Sequence, residues 1–320
     1  MRLLRKWRRP LMAFGLSIGL LLFARQVWIS FISVRQLGWG VFSKPSFLIL
    51  TLSCTLLLYL AQMVAWAFTL RCLGAGLGLK DIFEGFQISL LPRYIPGSVW
   101  GYLGRSQWLE QYHGIGYTTS VTASLIEISI QALTAFAVGI FCYDLTFGTS
   151  NRSLFVMIAF SAIMLAWLVV PHAVAFFLRR MGRAPVTFTM APGAWLAVVL
   201  MHVLLWVTYG AALFWIIKAL APRAFVTWWQ AMAASSLSWL VGFVIPIVPA
   251  GIGIREAVLT ELLTRQGMLS IPEANLTSVV LRFALISAEL IWLGAGLAIF
   301  VRRWRRNRVM AADPPPSNRG

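Results

Sequence analysis

Six charged residues lie where charge is expensive. Glu127 sits about ten residues into the apolar run SVTASLIEISIQALTAF. Arg282 lies within NLTSVVLRFALISAEL, and Glu289 follows two turns along the same helix face. Arg105 comes after LPRYIPGS, and the Arg255–Glu256 pair comes directly after IPIVPAGIG. A charge at the centre of a spanning helix costs about 2.5–3.5 kcal/mol on insertion scales, so each is first a functional candidate. Arginine presents a planar fork that pairs bidentately with phosphate. Arg105 and Arg255 both follow a Pro/Gly break, near the start of a half-helix, where free N–H groups and the helix dipole also favour an anion. The chemistry this pattern suits is binding of a phosphate-bearing group. An internal Arg–Glu network, Arg105 with Glu127 and Arg255 with a glutamate, uses the same residues, and the two readings can coexist. Arg93 belongs to the first break, while Arg25, Arg71 and Lys218 lie at span edges, where long basic side chains snorkel.

Signatures of other chemistries are missing. There is no HExxH and no DxD; Gly251-x-Gly253 has no strand before it, and GAGLG at 74–78 lacks the Lys-Ser/Thr of a phosphate loop. Cys54, Cys72 and Cys142 are too far apart for a metal or disulfide pattern, and His113, His172 and His202 read as helix-end or packed side chains. No catalytic residue, metal ligand or cofactor is assigned. The 15 tryptophans, Trp28 and Trp229 among them, fit interfacial belts better than an aromatic binding box.

The elements that must position these charges follow from composition. The 320 residues are 59% hydrophobic and 12% charged, with a mean hydropathy of +0.79. Soluble domains carry about a quarter charged residues. The chain therefore lacks the polar surface of a water-soluble fold and reads as an all-α polytopic membrane protein. The net charge of +17 is clustered at span ends, at residues 2–9, 179–183 and 302–308, as the positive-inside rule and anionic lipid head groups favour, so nucleic acid is not the expected partner. Six runs are long enough to span: 11–33, 46–70, 118–143, 153–178, 193–218 and 276–301. The first, with its basic flank and no small-x-small cleavage site, reads as a retained anchor. Residues 1–308 form one integral membrane domain, and 309–320 a disordered polar tail.

Two further stretches, 82–117 and 225–275, are apolar on both sides of a break, at Pro96-Gly97 and at Pro249, Gly251 and Gly253. Proline removes a backbone donor and glycine allows unusual turns. Irregular backbone at membrane depth survives only where protein buries it or water reaches it. Each stretch therefore reads as two half-helices meeting at a break. Basic flanks place both termini in the cytoplasm and make the two stretches re-entrant hairpins from opposite faces; two full crossings each, eight spans in all, satisfy the same flanks. Residues 11–143 and 153–301 then run as inverted repeats, a pattern of transporters with a site between the halves.

PGSVWGYLGR, GIGYTTSVTASLIE and VPAGIGIREAVLTELLTRQG, followed by ANLTSVVLR, resemble the transmembrane, flippase-like domain of lysylphosphatidylglycerol synthases over nearly the whole chain. Pro249 to Glu256 followed by Arg282 is the most specific part. The resemblance implies an inner-membrane protein that moves or exposes lipid across the bilayer. Only a short tail follows residue 301, so it also implies no aminoacyl transfer. The expected substrate is an anionic, polyprenyl- or hopanoid-type lipid, held in a groove lined by Arg105, Glu127, Arg255, Glu256 and Arg282, with Glu289 beside it. A lipid-modifying enzyme is a possible partner. The rivals are an intramembrane enzyme on a lipid-linked substrate and a scaffold for a lipid- or glycan-modifying enzyme.

Overall fold

The computed structural model describes residues 2–38, 42–90, 92, 100–147, 157–158, 161, 169–170, 172–180, 182, 191–245, 248–265 and 267–312. All regular structure among them is helical. In chain order the helices are α1 (Arg2–Leu37), α2 (Pro45–Cys72), α3 (Leu79–Ile88), α4 (Trp100–His113), α5 (Tyr117–Phe147), α6 (Pro192–Leu220), α7 (Trp228–Val244), α8 (Ile254–Arg265) and α9 (Ile271–Ala312). A further helical segment covers 172–180. Pro96 and Gly97, most of the run 153–178, and 313–320 lie outside the described residues.

Four of these helices are long and apolar enough to cross a membrane: α2, α5 over Tyr117–Thr146, α6, and α9 over Ile271–Ile299. They coincide with the expected runs 46–70, 118–143, 193–218 and 276–301. The protein is a helical membrane protein. Leu57, Leu200, Leu204, Leu290 and Leu297 are all at least half exposed on these helices, as hydrocarbon-facing residues are.

Local chemistry sets the helix ends. Proline stands at the start of α2 and α6, where its missing N–H costs nothing. Thr227 and Gln230 form a reciprocal capping box on α7. At the start of α9 the Glu273 carboxylate accepts from both the Ser270 backbone N–H and its hydroxyl.

α2 and α6 pack along each other at the centre, and α5, α7 and α9 enclose them. Small residues make the close approaches possible. Ala231, Ala233, Ala234, Ser235, Ser236 and Ser238 of α7 are all buried. At Gly210 of α6 a Cβ would fall 2.9 Å from the Met232 Cα. Polar bonds add register: the Trp206 indole donates to Thr134 Oγ1 at 2.9 Å, joining α6 to α5. The Gln26 amide of α1 donates to Asn275 Oδ1 at 3.0 Å and to Ser278 Oγ at 3.3 Å, fastening α1 to α9.

α3 packs on α4, and α7 packs on α8, across their respective breaks. α4 then lies on α5 as α8 lies on α9. Further pairs come in matched sets: α2–α5 with α6–α9, α2–α9 with α5–α6, α3–α9 with α5–α7, and α2–α3 with α6–α7.

Candidate functional site

At the second break, Pro249–Gly251 make a single 3-10 turn in which Ala250 takes φ 50°. Gly251 follows at φ 65°, a left-handed conformation that glycine adopts without penalty. α8 begins three residues later, so Arg255 and Glu256 occupy its first turn. They point to different neighbours because successive residues of a helix are turned by about 100°.

Glu256 has two partners. Its Oε2 accepts from the Gly253 backbone N–H at 2.5 Å and so caps α8. Its Oε1 lies 3.5 Å from Arg282 Nε on α9, and both side chains are almost fully buried. The arginine thus neutralises the carboxylate that caps the neighbouring helix.

Arg255 is different. Its guanidinium lies 5.4 Å over the Trp239 ring of α7. Its Nε is buried with no hydrogen-bond partner, and no ion pair with Arg255 occurs among the described residues. A buried cation in low dielectric is costly without a counter-charge.

Arg255 and Arg282 face a cavity of about 110 Å³. Every one of α2 and α4–α9 contributes to its wall. Tyr59, Gln62, Tyr102 and Gln131 come from the first half of the chain. Trp206, Tyr209, Trp239 and Glu289 come from the second. Gln62 donates to Gln131 Oε1 at 3.3 Å across α2 and α5. At another part of the wall the Tyr59 hydroxyl donates to Glu289 Oε1 at 2.6 Å. The cavity is therefore amphipathic, with aromatic faces, amide and phenol groups, two guanidinium groups and the Glu289 carboxylate. Such a wall holds a polar ligand by a few convergent groups.

Arg105 and Glu127 are placed elsewhere. Arg105 Nη2 donates to Glu127 Oε2 at 2.7 Å and to Ser124 Oγ at 2.8 Å, and neither charged side chain has any exposed surface. The guanidinium stacks 4.2 Å over Trp66 of α2. This pair ties α4 to α5 and does not line the cavity. Of the six expected site charges, Arg255, Arg282 and Glu289 line the cavity, Glu256 stands behind Arg282, and Arg105 and Glu127 form a separate sealed pair.

The internal network expected from the sequence exists with a changed partner. Arg105 pairs with Glu127 as expected, but the second glutamate takes Arg282, not Arg255. Tryptophans also depart from the expected belts: Trp66, Trp195 and Trp206 are buried, and Trp206 and Trp239 line the cavity. Gln62 and Gln131, neutral amides inside apolar runs, were the sequence signal for the wall that charge alone did not give. His202 is packed, its Nδ1–H donating to the Val198 carbonyl at 2.8 Å, and the three cysteines are free.

Comparison with protein-family models and with curated proteins gives no match.

Proposed function

We propose that this protein moves or presents a lipid across the bacterial inner membrane, its phosphate-bearing head group entering the central cavity beside Arg255. One observation carries the reading: an arginine whose Nε is buried without a hydrogen bond, and which makes no ion pair among the described residues, faces a cavity walled by both halves of the chain. A phosphate supplies the missing counter-charge and accepts from the arginine fork. The acyl chains stay in hydrocarbon, so only the head group needs a polar path. The resemblance to the flippase-like domain of lysylphosphatidylglycerol synthases agrees with this role.

The inverted repeat belongs to the same proposal. Exchanging α2, α3, α4 and α5 for α6, α7, α8 and α9 maps their packing pairs onto one another. The charge pairs follow with their signs exchanged: arginine on the hairpin helix and glutamate on the span in the first half, glutamate on the hairpin helix and arginine on the span in the second. Substrate sites of inverted-repeat transporters lie between the repeats, where this cavity sits.

The direct test is reconstitution into vesicles holding a fluorescent phosphatidylglycerol, with leaflet asymmetry read by dithionite quenching. Arg255→Gln is expected to abolish protein-dependent movement while the purified protein keeps its melting temperature. Arg255→Lys should restore part, because an ammonium is a point charge without the bidentate fork. Unchanged movement with Arg255→Gln would remove the arginine from the path.

Topology gives a second prediction. Tyr112 and Ile271 are both 66% exposed and lie near the C-terminal ends of the two broken stretches. With Cys54 and Cys72 replaced by serine, Tyr112→Cys and Ile271→Cys are expected to react with a membrane-impermeant maleimide from opposite faces, Tyr112→Cys from the cytoplasm. Labelling of both from one face would contradict the inverted arrangement.

A further inference from the structure

Several departures from local rules meet around one side chain. Gly242 lies inside α7, buried, where glycine is less favourable than alanine by roughly 0.5–1 kcal/mol. Ala250 and Gly251 take left-handed conformations, and Ala250 does so with a Cβ. Arg255 keeps a buried Nε without a hydrogen bond. Costs of this kind persist where surrounding structure enforces them, and they collect at functional sites.

The geometry connects them. A Cβ built on Gly242 would overlap Arg255 Cγ and lie 3.0 Å from its Nε. A Cβ built on Gly251 would lie 2.8 Å from the same Nε and 2.8 Å from the Gly242 carbonyl oxygen. The arginine stem thus runs through a slot that only two glycines leave open. Trp239, one turn before Gly242 on the same face of α7, is the third wall, with the guanidinium 5.4 Å over its ring. The slot leaves the stem little freedom and delivers the guanidinium to the cavity wall.

We infer that Gly242, Gly251 and Trp239 are positioning residues for a head-group phosphate, fixing the Arg255 fork so that it meets two oxygens of one phosphate. The inference rests on the anion site proposed for Arg255. A phosphate gains more from a preorganised donor pair than from a mobile one, because ordering of the side chain is already complete. The site therefore distinguishes a phosphate with two free oxygens from a bulkier or uncharged head group by geometry as well as by charge.

The test uses the full-length protein in maltoside micelles and dodecyl phosphate as the probe, with affinity from isothermal titration and stability from thermal melting. Arg255→Gln should lose binding. Gly242→Ala should weaken it about tenfold or more, as expected when charge-assisted hydrogen bonds are displaced. Gly242→Ala combined with Arg255→Gln should bind no worse than Arg255→Gln alone, because both changes act on one group. Should Gly242→Ala fail to fold, Trp239→Leu removes the third wall without a clash and should weaken binding several-fold. Retained affinity in Gly242→Ala, or in Trp239→Leu if it stands in, alongside lost binding in Arg255→Gln overturns the positioning role and leaves the anion site standing. Retained binding in Arg255→Gln overturns the anion site itself, and the positioning role with it.

Discussion

Arg105→Gln is expected to lower the melting temperature further than Arg255→Gln or Arg282→Gln. Glu127 would be left buried, with no exposed surface. Removing one partner of such a pair costs about 3–5 kcal/mol, a large part of the roughly 5–15 kcal/mol that holds a typical protein folded. The Ser124 hydroxyl also loses the donor it accepts from at 2.8 Å. Combining Arg105→Gln with Glu127→Gln should recover much of the loss, since two neutral amides can share a hydrogen bond where the ion pair stood. Recovery should stay incomplete, because the stacking of the guanidinium 4.2 Å over Trp66 is gone in both proteins. Thermal melting in detergent of the two single changes and the double change measures the coupling. Additive losses would mean that the pair does not hold α4 to α5.

Arg282→Gln separates stability from transport. It leaves Glu256 buried with the Gly253 N–H as its described hydrogen-bond donor, so the melting temperature should fall, by less than in Arg105→Gln because that donor remains. Adding Glu256→Gln should restore melting, because a glutamine carbonyl can still accept from Gly253 and cap α8. Lipid movement should stay low in the restored protein, because the cavity has lost one of its two guanidinium groups. Recovery of melting and movement together would make Arg282 a structural counter-charge alone.

Four spans were legible because each is a long apolar run. Pro45 and Pro192 open two of them. Arg105, Glu127, Arg255, Glu256, Arg282 and Glu289 stood out because charge in an apolar sequence needs a reason. Which arginine meets which glutamate was not legible. Arg255 and Glu256 are adjacent in sequence, yet the helix sends one toward Trp239 and the other toward Arg282. Tyr59 and Tyr102 looked like any aromatic residue in an apolar run, and only the convergence of helices distant in sequence makes them a wall. Gly242 gave no signal either, since its purpose is the space it leaves for a side chain thirteen positions later.

The sealed Arg105–Glu127 pair bears on how the chain enters the bilayer. The two residues are 22 positions apart, on consecutive helices, so the ribosome delivers the arginine first. Alone in hydrocarbon, either charge carries an insertion penalty of about 2.5–3.5 kcal/mol. Together they meet lipid as one neutral, hydrogen-bonded unit. The less costly unit of membrane integration is therefore the helix pair α4–α5. Glu256 and Arg282 set the same condition for α8 and α9. A change that breaks either ion pair is therefore expected to lower the yield of inserted protein, measured as the share of newly made chain recovered in the membrane fraction.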